Sequence, residues 1–298
     1  MSTLLAYGGR WHASLKATVG IRGEKSQLVV SKHFGPLRLQ KALWPEGTQA
    51  RSPVHLLMLH PPGGIAGGDS LEASFDIQEN AHALITTPGA GKWYRSLEEQ
   101  VAQEIVEPAT QKITLSVGPN ASLEWLPQEV IVHDGAIAKS SVDIHLDASA
   151  AMMGCEILVL GRKDYGESYQ TGEFKQALHL YRADRLIWSD NSLIRSDWLS
   201  LDSSLKRYHV SGVFWVSAPA EILSKISEND VGELEVTASN FVDGFGVLGV
   251  SRVAPTLLLV RGVAMSPEKL RNAFLSIWQK LRPVVLQRDA VVPRIWNT

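Results

Sequence analysis

The chain has 298 residues, of which 45% are hydrophobic, so it can bury a large core as one extended β domain or as two smaller domains. Its 29 Lys and Arg residues against 31 Asp and Glu residues give a formal net charge of -2 with no block of like charges, which excludes a basic footprint for nucleic acid. The one cysteine, Cys155, excludes an intramolecular disulfide and a cysteine-rich zinc cluster. No secretory leader pattern and no apolar run of about 20 residues is present, so we expect a cytoplasmic protein without a membrane partner.

Short apolar or alternating runs, separated by turn residues, predict a body that is mostly β. Ala183 and Asp184 predict a tight turn between two of the strands. Because the strands do not alternate with long helices, the pattern disfavours a doubly wound dinucleotide fold and favours a sandwich, a barrel or a solenoid of sheets. The predicted strands are, in chain order, residues 27–30, 54–59, 71–77, 81–86, 111–117, 122–125, 129–133, 141–146, 155–160, 172–182, 185–189, 211–217, 233–238, 246–250 and 256–261.

Two helices are predicted near the C-terminal end. Ser266 is expected to cap the longer one, Pro267 to occupy its first position, and Pro283 to stop it. A short helix is expected over residues 219–226. The apolar face of the longer helix is formed by Leu270, Phe274, Ile277, Trp278 and Leu281.

The decapeptide from His60 to Asp69 reads His-Pro-Pro-Gly-Gly-Ile-Ala-Gly-Gly-Asp and joins two predicted strands. Its two prolines restrict the backbone, whereas its four glycines permit positive φ and close backbone approach. One interpretation is a loop whose glycines serve geometry alone. The other is a loop that presents His60 and Asp69 to a ligand or partner.

A glycine-rich turn precedes Lys92 in the run Thr-Thr-Pro-Gly-Ala-Gly-Lys-Trp-Tyr-Arg-Ser. A Walker A loop needs glycine where Thr86 stands and Ser or Thr where Trp93 stands, so this segment is not a P-loop. Lys92 and Arg95 are candidates for holding an anion or an acidic partner, or they are ordinary solvated charges on a turn. Tyr94 is a candidate anchor, either for packing or for binding.

The run Leu-Glu-Trp-Leu-Pro-Gln-Glu-Val-Ile-Val-His-Asp-Gly-Ala places Glu129, His133 and Asp134 around a predicted strand. Alternation puts Glu129 and His133 on one face of that strand. Together with Asp134 they are suitable donors for nickel or zinc, although the close ligand spacing of a permanent metal site is missing. The alternative is a solvated strand face.

The loop 161–167 carries two acids, Asp164 and Glu167, and two bases. A serine hydrolase elbow, Gly-x-Ser-x-Gly, does not occur in the chain, whereas a glycosidase needs only two carboxylates at a suitable separation. A β-rich carbohydrate hydrolase that uses paired carboxylates is therefore the alternative function.

These segments, together with the C-terminal runs 282–288 and 293–298, resemble the UreD family of urease accessory proteins, called UreH in some organisms. The motifs occur in the family's order and span the chain, although residues 1–50 and 190–265 carry less of the resemblance. The resemblance implies a single UreD-like domain over residues 1–298. It also implies a mostly β fold of stacked sheets, similar to a β-helix or β-solenoid, with about two α-helices, one of them near 266–281.

The resemblance further implies a chaperone rather than an enzyme. Such a protein docks on the urease apoprotein and, with UreF and the GTPase UreG, helps to deliver nickel. It holds no permanently bound cofactor, and nickel passes transiently through an internal polar tunnel. Ligands for such a path must bind weakly enough to release the metal. From donor chemistry and motif position, the candidate residues of the path are Asp69, Glu129, Asp134, Glu167, His60 and His133.

Two groups of residues are expected to contact partners. The C-terminal tail has an apolar pair beside a cation, the composition of an interface anchor, and UreF is the family partner it would bind. The alternative is a tail that folds onto its own core. The candidate partner residues are Lys92, Tyr94 and Arg95 in the first group and Arg294, Ile295 and Trp296 in the tail.

Overall fold

A computed structural model describes residues 10–47, 52–96, 107–199, 201, 205 and 208–297. Two large β-sheets stack face to face, and three helices cover the outer face of one of them. The prediction of a mostly β fold built from stacked sheets is therefore confirmed. None of the helices in these ranges is long and apolar enough to span a membrane.

The described residues form short 3₁₀ turns, α-helices and β-strands. The short 3₁₀ turns are Lys163–Tyr165, Ser196–Leu199 and Arg294–Asn297. The helices are α1 (Ala220–Leu223), α2 (Glu228–Val242) and α3 (Pro267–Leu286). The strands are β1 (His12–Arg22), β2 (Lys25–Phe34), β3 (Arg38–Leu39), β4 (Val54–Leu59), β5 (Ser70–Ile77), β6 (His82–Thr86), β7 (Gly91–Trp93), β8 (Ala109–Val117), β9 (Ser122–Trp125), β10 (Val130–Val132), β11 (Ile137–Leu146), β12 (Ala151–Leu160), β13 (Glu173–Arg182), β14 (Arg185–Ile194), β15 (Val210–Ser217), β16 (Gly246–Ala254) and β17 (Leu257–Ala264).

One sheet has seven strands in the order β14-β13-β11-β8-β5-β1-β2. Its five inner strands are parallel, and its two edge strands pair antiparallel. The other sheet has ten strands: eight in the order β16-β17-β15-β12-β9-β6-β4-β3, with β10 paired to β12 and β7 paired to β10. From β4 to β13 the chain passes repeatedly from one sheet to the other, so that both sheets grow by parallel pairing.

Alternating burial along each strand builds two cores. In β5, for example, Leu71, Ala73 and Phe75 point inward and are buried, whereas Glu72 is exposed on the other face. The first core fills the space between the sheets. The second lies between the ten-stranded sheet and the helices, where Phe274 of α3 and its neighbours are buried.

Most predicted strands are present, but the strand predicted at 233–238 is wrong because these residues lie in α2. The run Glu-Leu-Glu-Val-Thr-Ala alternates, yet Val231, Leu234 and Ala238 are also spaced to bury one helical face. A capping box between Ser227 and Asp230 starts that helix. The capping box and the burial of one helical face therefore determine the structure of this segment, and the alternating pattern does not.

One further expectation about the helices needs correction. The described residues form three helices, in agreement with the expected number of about two, but Pro283 lies inside α3 instead of ending it. The helix continues to Leu286 because Arg282 and Val285, on either side of the proline, are held in the core. By contrast, the tight turn is confirmed, since Ala183 and Asp184 have φ of 48° and 60°, as a two-residue hairpin turn needs. Strand β1, which lies outside the predicted strands, pairs with β5 and β2.

A buried ion network joins α3 to the ten-stranded sheet. The guanidinium of Arg282, whose side chain is 0% exposed, donates from Nε to Glu124 Oε2 at 2.9 Å and from Nη2 to Glu124 Oε1 at 2.9 Å. Nη2 also donates to the two carboxylate oxygens of Glu46, at 2.7 and 2.9 Å. One cation therefore bonds to two carboxylates that come from a strand and a loop far from α3 in sequence.

The two carboxylates have further partners. His82 Nε2 lies 2.9 Å from Glu124 Oε1, and Trp278 Nε1 donates to Glu124 Oε2 at 2.7 Å. Burial would raise the pKa of Glu124, but its bonds to His82 and Arg282 outweigh burial and hold that pKa far below its ordinary value. His55 Nε2 lies 2.8 Å from Glu46 Oε1. The network is thus well satisfied, as buried charges require.

Arg282→Ala is predicted to lower the free energy of unfolding by about 3–5 kcal/mol, because it leaves Glu124 and Glu46 buried without their cation. Urea denaturation followed by circular dichroism measures the change. Lys280→Ala, an exposed change on the same helix, is the control and should stay within about 0.5 kcal/mol of the parent chain. An equal, small effect of both variants would contradict the role of the network.

Candidate functional site

The carboxyl ends of three parallel strands, β7, β10 and β12, meet at one end of the ten-stranded sheet. Val132 pairs with Trp93 on one side and with Leu160 on the other, so the residues that follow these strands are neighbours. Five of the twelve candidate residues named from the sequence lie here. We call this group the strand-end cluster, and its members are Tyr94, Arg95, His133, Asp134, Arg162 and Glu167.

The glycine-rich decapeptide packs against this cluster. The N–H of Ile65 donates to Lys92 O at 2.8 Å, and the N–H of Tyr94 donates to Ile65 O at 2.8 Å. A Cβ on Gly64 would overlap the ring of Tyr94, and Gly68 has φ of +81°. The glycines therefore allow the loop to lie directly on the end of β7.

Asp69 locks the end of the decapeptide. Its Oδ1 accepts the N–H of Trp11 at 2.7 Å and its Oδ2 accepts the N–H of Ala66 at 2.9 Å. The residue is 3% exposed. These bonds tie the loop to the beginning of β1, so a metal ion at Asp69 would have to compete with both amides.

His60 lies at the other end of the decapeptide and faces the space between the sheets. Its Nε2 is buried and has no hydrogen-bond partner in the described ranges. Burial lowers the pKa of His60 below its ordinary value, while the charge of Asp69 opposes that shift. A neutral imidazole with a vacant ring nitrogen is the form that binds metals.

Asp134 is occupied by hydrogen bonds from its own surroundings. Its Oδ1 accepts the N–H groups of Gln170 and Thr171, at 2.8 and 2.7 Å, and its Oδ2 accepts Nη2 of Arg95 at 3.0 Å. These bonds outweigh desolvation and hold the pKa of Asp134 below its usual range. The carboxylate thus connects β7, β10 and the loop before β13.

Glu167 plays a similar part beside it. Its Oε1 accepts the N–H of Asp134 at 3.0 Å, and its Oε2 accepts Nε of Arg162 at 2.7 Å. The same Oε1 lies 3.4 Å from Nδ1 of His133. Burial would raise the pKa of Glu167, but these donors hold it below its ordinary value.

His133 stands between Tyr94 and Glu167, with its ring centroid 5.1 Å from that of Tyr94. Its Nε2 is buried, with no hydrogen-bond partner in the described part of the chain. Burial lowers the pKa of His133, the Glu167 carboxylate opposes this, and Arg162 and Lys92 add to the lowering.

The six candidate residues of a metal path are not gathered into one site. His133, Asp134 and Glu167 are neighbours, and Asp69 and His60 end the adjacent loop, but Oε2 of Glu129 lies 3.7 Å from Nη1 of Arg271 on α3. Within the residues that the structure describes, no group of three or more His, Cys, Asp or Glu side chains could hold a metal ion. The assignment of these residues to a nickel path stays a prediction.

The two predicted partner surfaces differ in their exposure. Tyr94, 38% exposed, and Arg95 present part of their surface to solvent beside Lys92. In the tail, Trp296 Nε1 donates to Thr86 Oγ1 at 2.8 Å. Trp296 therefore folds onto the chain's own core, as the alternative interpretation of the tail expected.

The residues of the tail differ in their packing and exposure. The ring of Trp296 meets that of Trp278 edge to face, with centroids 6.4 Å apart. Ile295 is half-buried beside it, whereas Arg294 is exposed to solvent. Contact with UreF stays a prediction that Arg294 is best placed to test.

Sequence reasoning missed Glu156, which lies at the junction of two cavities between the sheets. One cavity, of about 260 Å³, is also lined by His60 and Lys92, and the other, of about 430 Å³, by Gln176 and Asp190. Desolvation raises the pKa of Glu156 to about 7, and its hydrogen bond from Trp125 Nε1, at 2.7 Å, opposes that shift. A glutamate inside the apolar run Met-Gly-Cys-Glu-Ile-Leu-Val-Leu was the available signal.

Comparison with known proteins bears on the class to which this fold and these residues belong. The family model of the UreD urease accessory protein matches residues 12–297. The urease accessory protein UreD of Dechloromonas aromatica is 38% identical over 292 residues, which cover 97% of this chain and 95% of the relative. The UreD proteins of Methylobacillus flagellatus and Acinetobacter baumannii are 36% and 35% identical over 294 and 292 residues, with the same 97% and 95% coverage.

The chain therefore belongs to the UreD family of urease accessory proteins. Its relatives are named as accessory proteins, which are maturation factors rather than enzymes. This confirms that the chain is not an enzyme and removes the support for a carbohydrate hydrolase. The carboxylates Asp134 and Glu167 are bonded to their own loops.

Glu167→Gln is predicted to lower the pKa of His133 further, because the variant removes the negative charge that favours the imidazolium. An NMR titration of the histidine ring protons measures the shift. Asp164→Asn, a change in the same loop, serves as the control and should leave His133 unaffected. A rise in the His133 pKa in the Glu167 variant would show that the contact is not electrostatic.

Proposed function

We propose that this chain promotes urease maturation by docking on the urease apoprotein with UreF and the GTPase UreG and by helping to insert nickel. Membership of the UreD family supports a role in urease maturation. The finer steps rest on the geometry of the space between the sheets. The observation that supports them most is the pair of cavities that meet at Glu156.

The cavities form a route that carries several polar side chains across a mostly apolar core. The side chains of His60, Gln128 and Ser140 line the first cavity, and Gln176 and Asp190 line the second. Oxygen and imidazole donors are ligands that nickel accepts. The route begins near the strand-end cluster and opens between β14 and β17, where Asp190 pairs with Arg261 at 2.7 Å.

Glu156 provides the chemistry of a temporary binding position. A carboxyl with a pKa of about 7 is protonated in part of the molecules at neutral pH, so the arrival of a divalent cation would displace its proton. Among the described residues only Trp125 donates to it, so one oxygen stays available for a metal. A single carboxylate holds a metal far less tightly than a closed site with three or four ligands. Nickel could therefore move on.

Glu156→Gln is predicted to lower urease activation and the nickel content of the urease by about tenfold or more, the scale seen when groups around a metal are altered. The amide keeps an oxygen that accepts from Trp125, so the fold should persist. Coexpression with the urease subunits and partner proteins, followed by nickel analysis of purified urease, measures the effect.

Glu233→Gln, an exposed change on α2, is the control for that experiment. Copurification of the accessory complex with urease must be unchanged in both variants. Normal nickel content with Glu156→Gln would exclude the route through the sheets, whereas loss of copurification would point to a folding or docking defect.

Arg294→Glu is predicted to reduce copurification with UreF several-fold, because Arg294 is the exposed cation of the tail and charge reversal repels an acidic contact. Pull-down of UreF from coexpressing cells measures this. Arg185→Glu, an exposed arginine at the start of β14, is the matched control. Equal recovery of UreF with both variants would mean that the tail serves only the chain's own core.

A further inference from the structure

The outer face of the seven-stranded sheet carries no covering layer among the described elements. The three helices pack on the ten-stranded sheet, and the side chains that point outward from β1, β5, β8, β11 and β13 are mostly polar and accessible. Sheets of parallel strands are normally buried on both faces. This broad, solvent-exposed face of a mainly parallel sheet is therefore available to another molecule.

Lysines dominate this face. Two shallow depressions, of about 480 and 550 Å³, lie along it and share Glu72 and Lys112, so they form one continuous surface. We call this surface the basic band. Its five exposed lysines are Lys16, Lys32, Lys112, Lys139 and Lys175.

The strand register sets like charges opposite each other in the basic band. Lys16 pairs with Lys32 across β1 and β2, and Lys139 pairs with Lys175 across β11 and β13. Such cross-strand pairs destabilise a sheet. Lys112, in contrast, stands opposite Glu72.

Local acids neutralise only part of this charge. Lys175 Nζ lies 3.0 Å from Glu173, and Lys112 Nζ lies 4.0 Å from Asp143. Lys16, Lys32 and Lys139 form no ion pair with any residue that the structure describes. The band therefore carries excess positive charge in a chain whose formal net charge is -2.

Protection of a sheet edge does not explain this arrangement. Lysines commonly protect an edge strand from pairing with another chain, and Lys32 on β2 fits that role. Lys112, Lys139 and Lys175 lie on β8, β11 and β13, inside the sheet, where no edge needs protection.

We propose that the basic band is a docking surface for an acidic segment of a protein partner. The positive lysines are complementary to the negative charge of such a segment. Hydroxyls between them, such as those of Ser70, Thr110 and Ser141, can donate to its carboxylates. A nucleic acid fits less well, because Glu72 lies in the middle of the band and would face its phosphates.

The test uses the purified full chain and a short fluorescein-labelled oligo-glutamate peptide, with binding followed by fluorescence anisotropy. Lys139→Glu and Lys16→Glu should each weaken peptide binding by about threefold to tenfold at low ionic strength, and added salt should abolish the difference. Lys225→Glu, the same charge change at an exposed residue after α1, is the matched control and should bind like the parent chain.

A second arm measures binding of the same variants to the urease apoprotein, a choice of probe that rests on the proposed function. Weaker binding of both probes by the band variants, with the control unchanged, supports the proposal. Peptide binding that is equal in all four proteins overturns it, even if the urease apoprotein still binds and the proposed function stands. A band variant that loses binding to a DNA oligonucleotide but not to the peptide also overturns it.

Discussion

The buried contact of Arg282 with Glu124 and Glu46 is the interaction on which the packing of the helices depends. Two carboxylates far from solvent cannot stay ionised without a cation beside them, and α3 provides that cation. Its guanidinium fixes both the rotation of the helix and its height on the ten-stranded sheet, because a planar fork accepts few geometries. The tail that follows α3 then reaches Thr86 through Trp296.

The carboxylates of the candidate site and the cavities are of two kinds. Some hold loops in place through several hydrogen bonds, and another has a single donor. At the carboxyl ends of β7, β10 and β12, the carboxylates of Asp134 and Glu167 bind backbone N–H groups and arginines, so they hold three loops in place. Glu156, between the sheets, has one indole donor. The proposal that a metal passes through this chain rests on this contrast between bonded carboxylates and a nearly free internal one.

The sequence predicted the sheets well because inward and outward residues alternate along each strand, as in β5 from Leu71 to Ile77. The sequence-based prediction was wrong at 233–238, where alternating and helical spacing coincide. It was also wrong at Pro283, where burial of the neighbouring residues keeps the helix going despite the proline. For the site, the sequence named His133, Asp134 and Glu167 among six candidates of a nickel path; the structure brings these three together because each follows or adjoins a strand end, and their role in a path stays a prediction. The sequence did not show which carboxylates are occupied by hydrogen bonds and which are available to a ligand.

By itself, the sequence determined the mostly β class, the hairpin at Ala183 and Asp184, the start of α3 at Ser266, and the family to which the chain belongs. These features depend on neighbouring residues, or on motifs that are read along the chain. Only the tertiary structure decided that Glu156 joins two cavities, that Glu129 turns to α3, and that lysines from five strands form one face. The reason is physical: such positions depend on strand register and layer packing between residues far apart in sequence, and the period of a single strand contains neither.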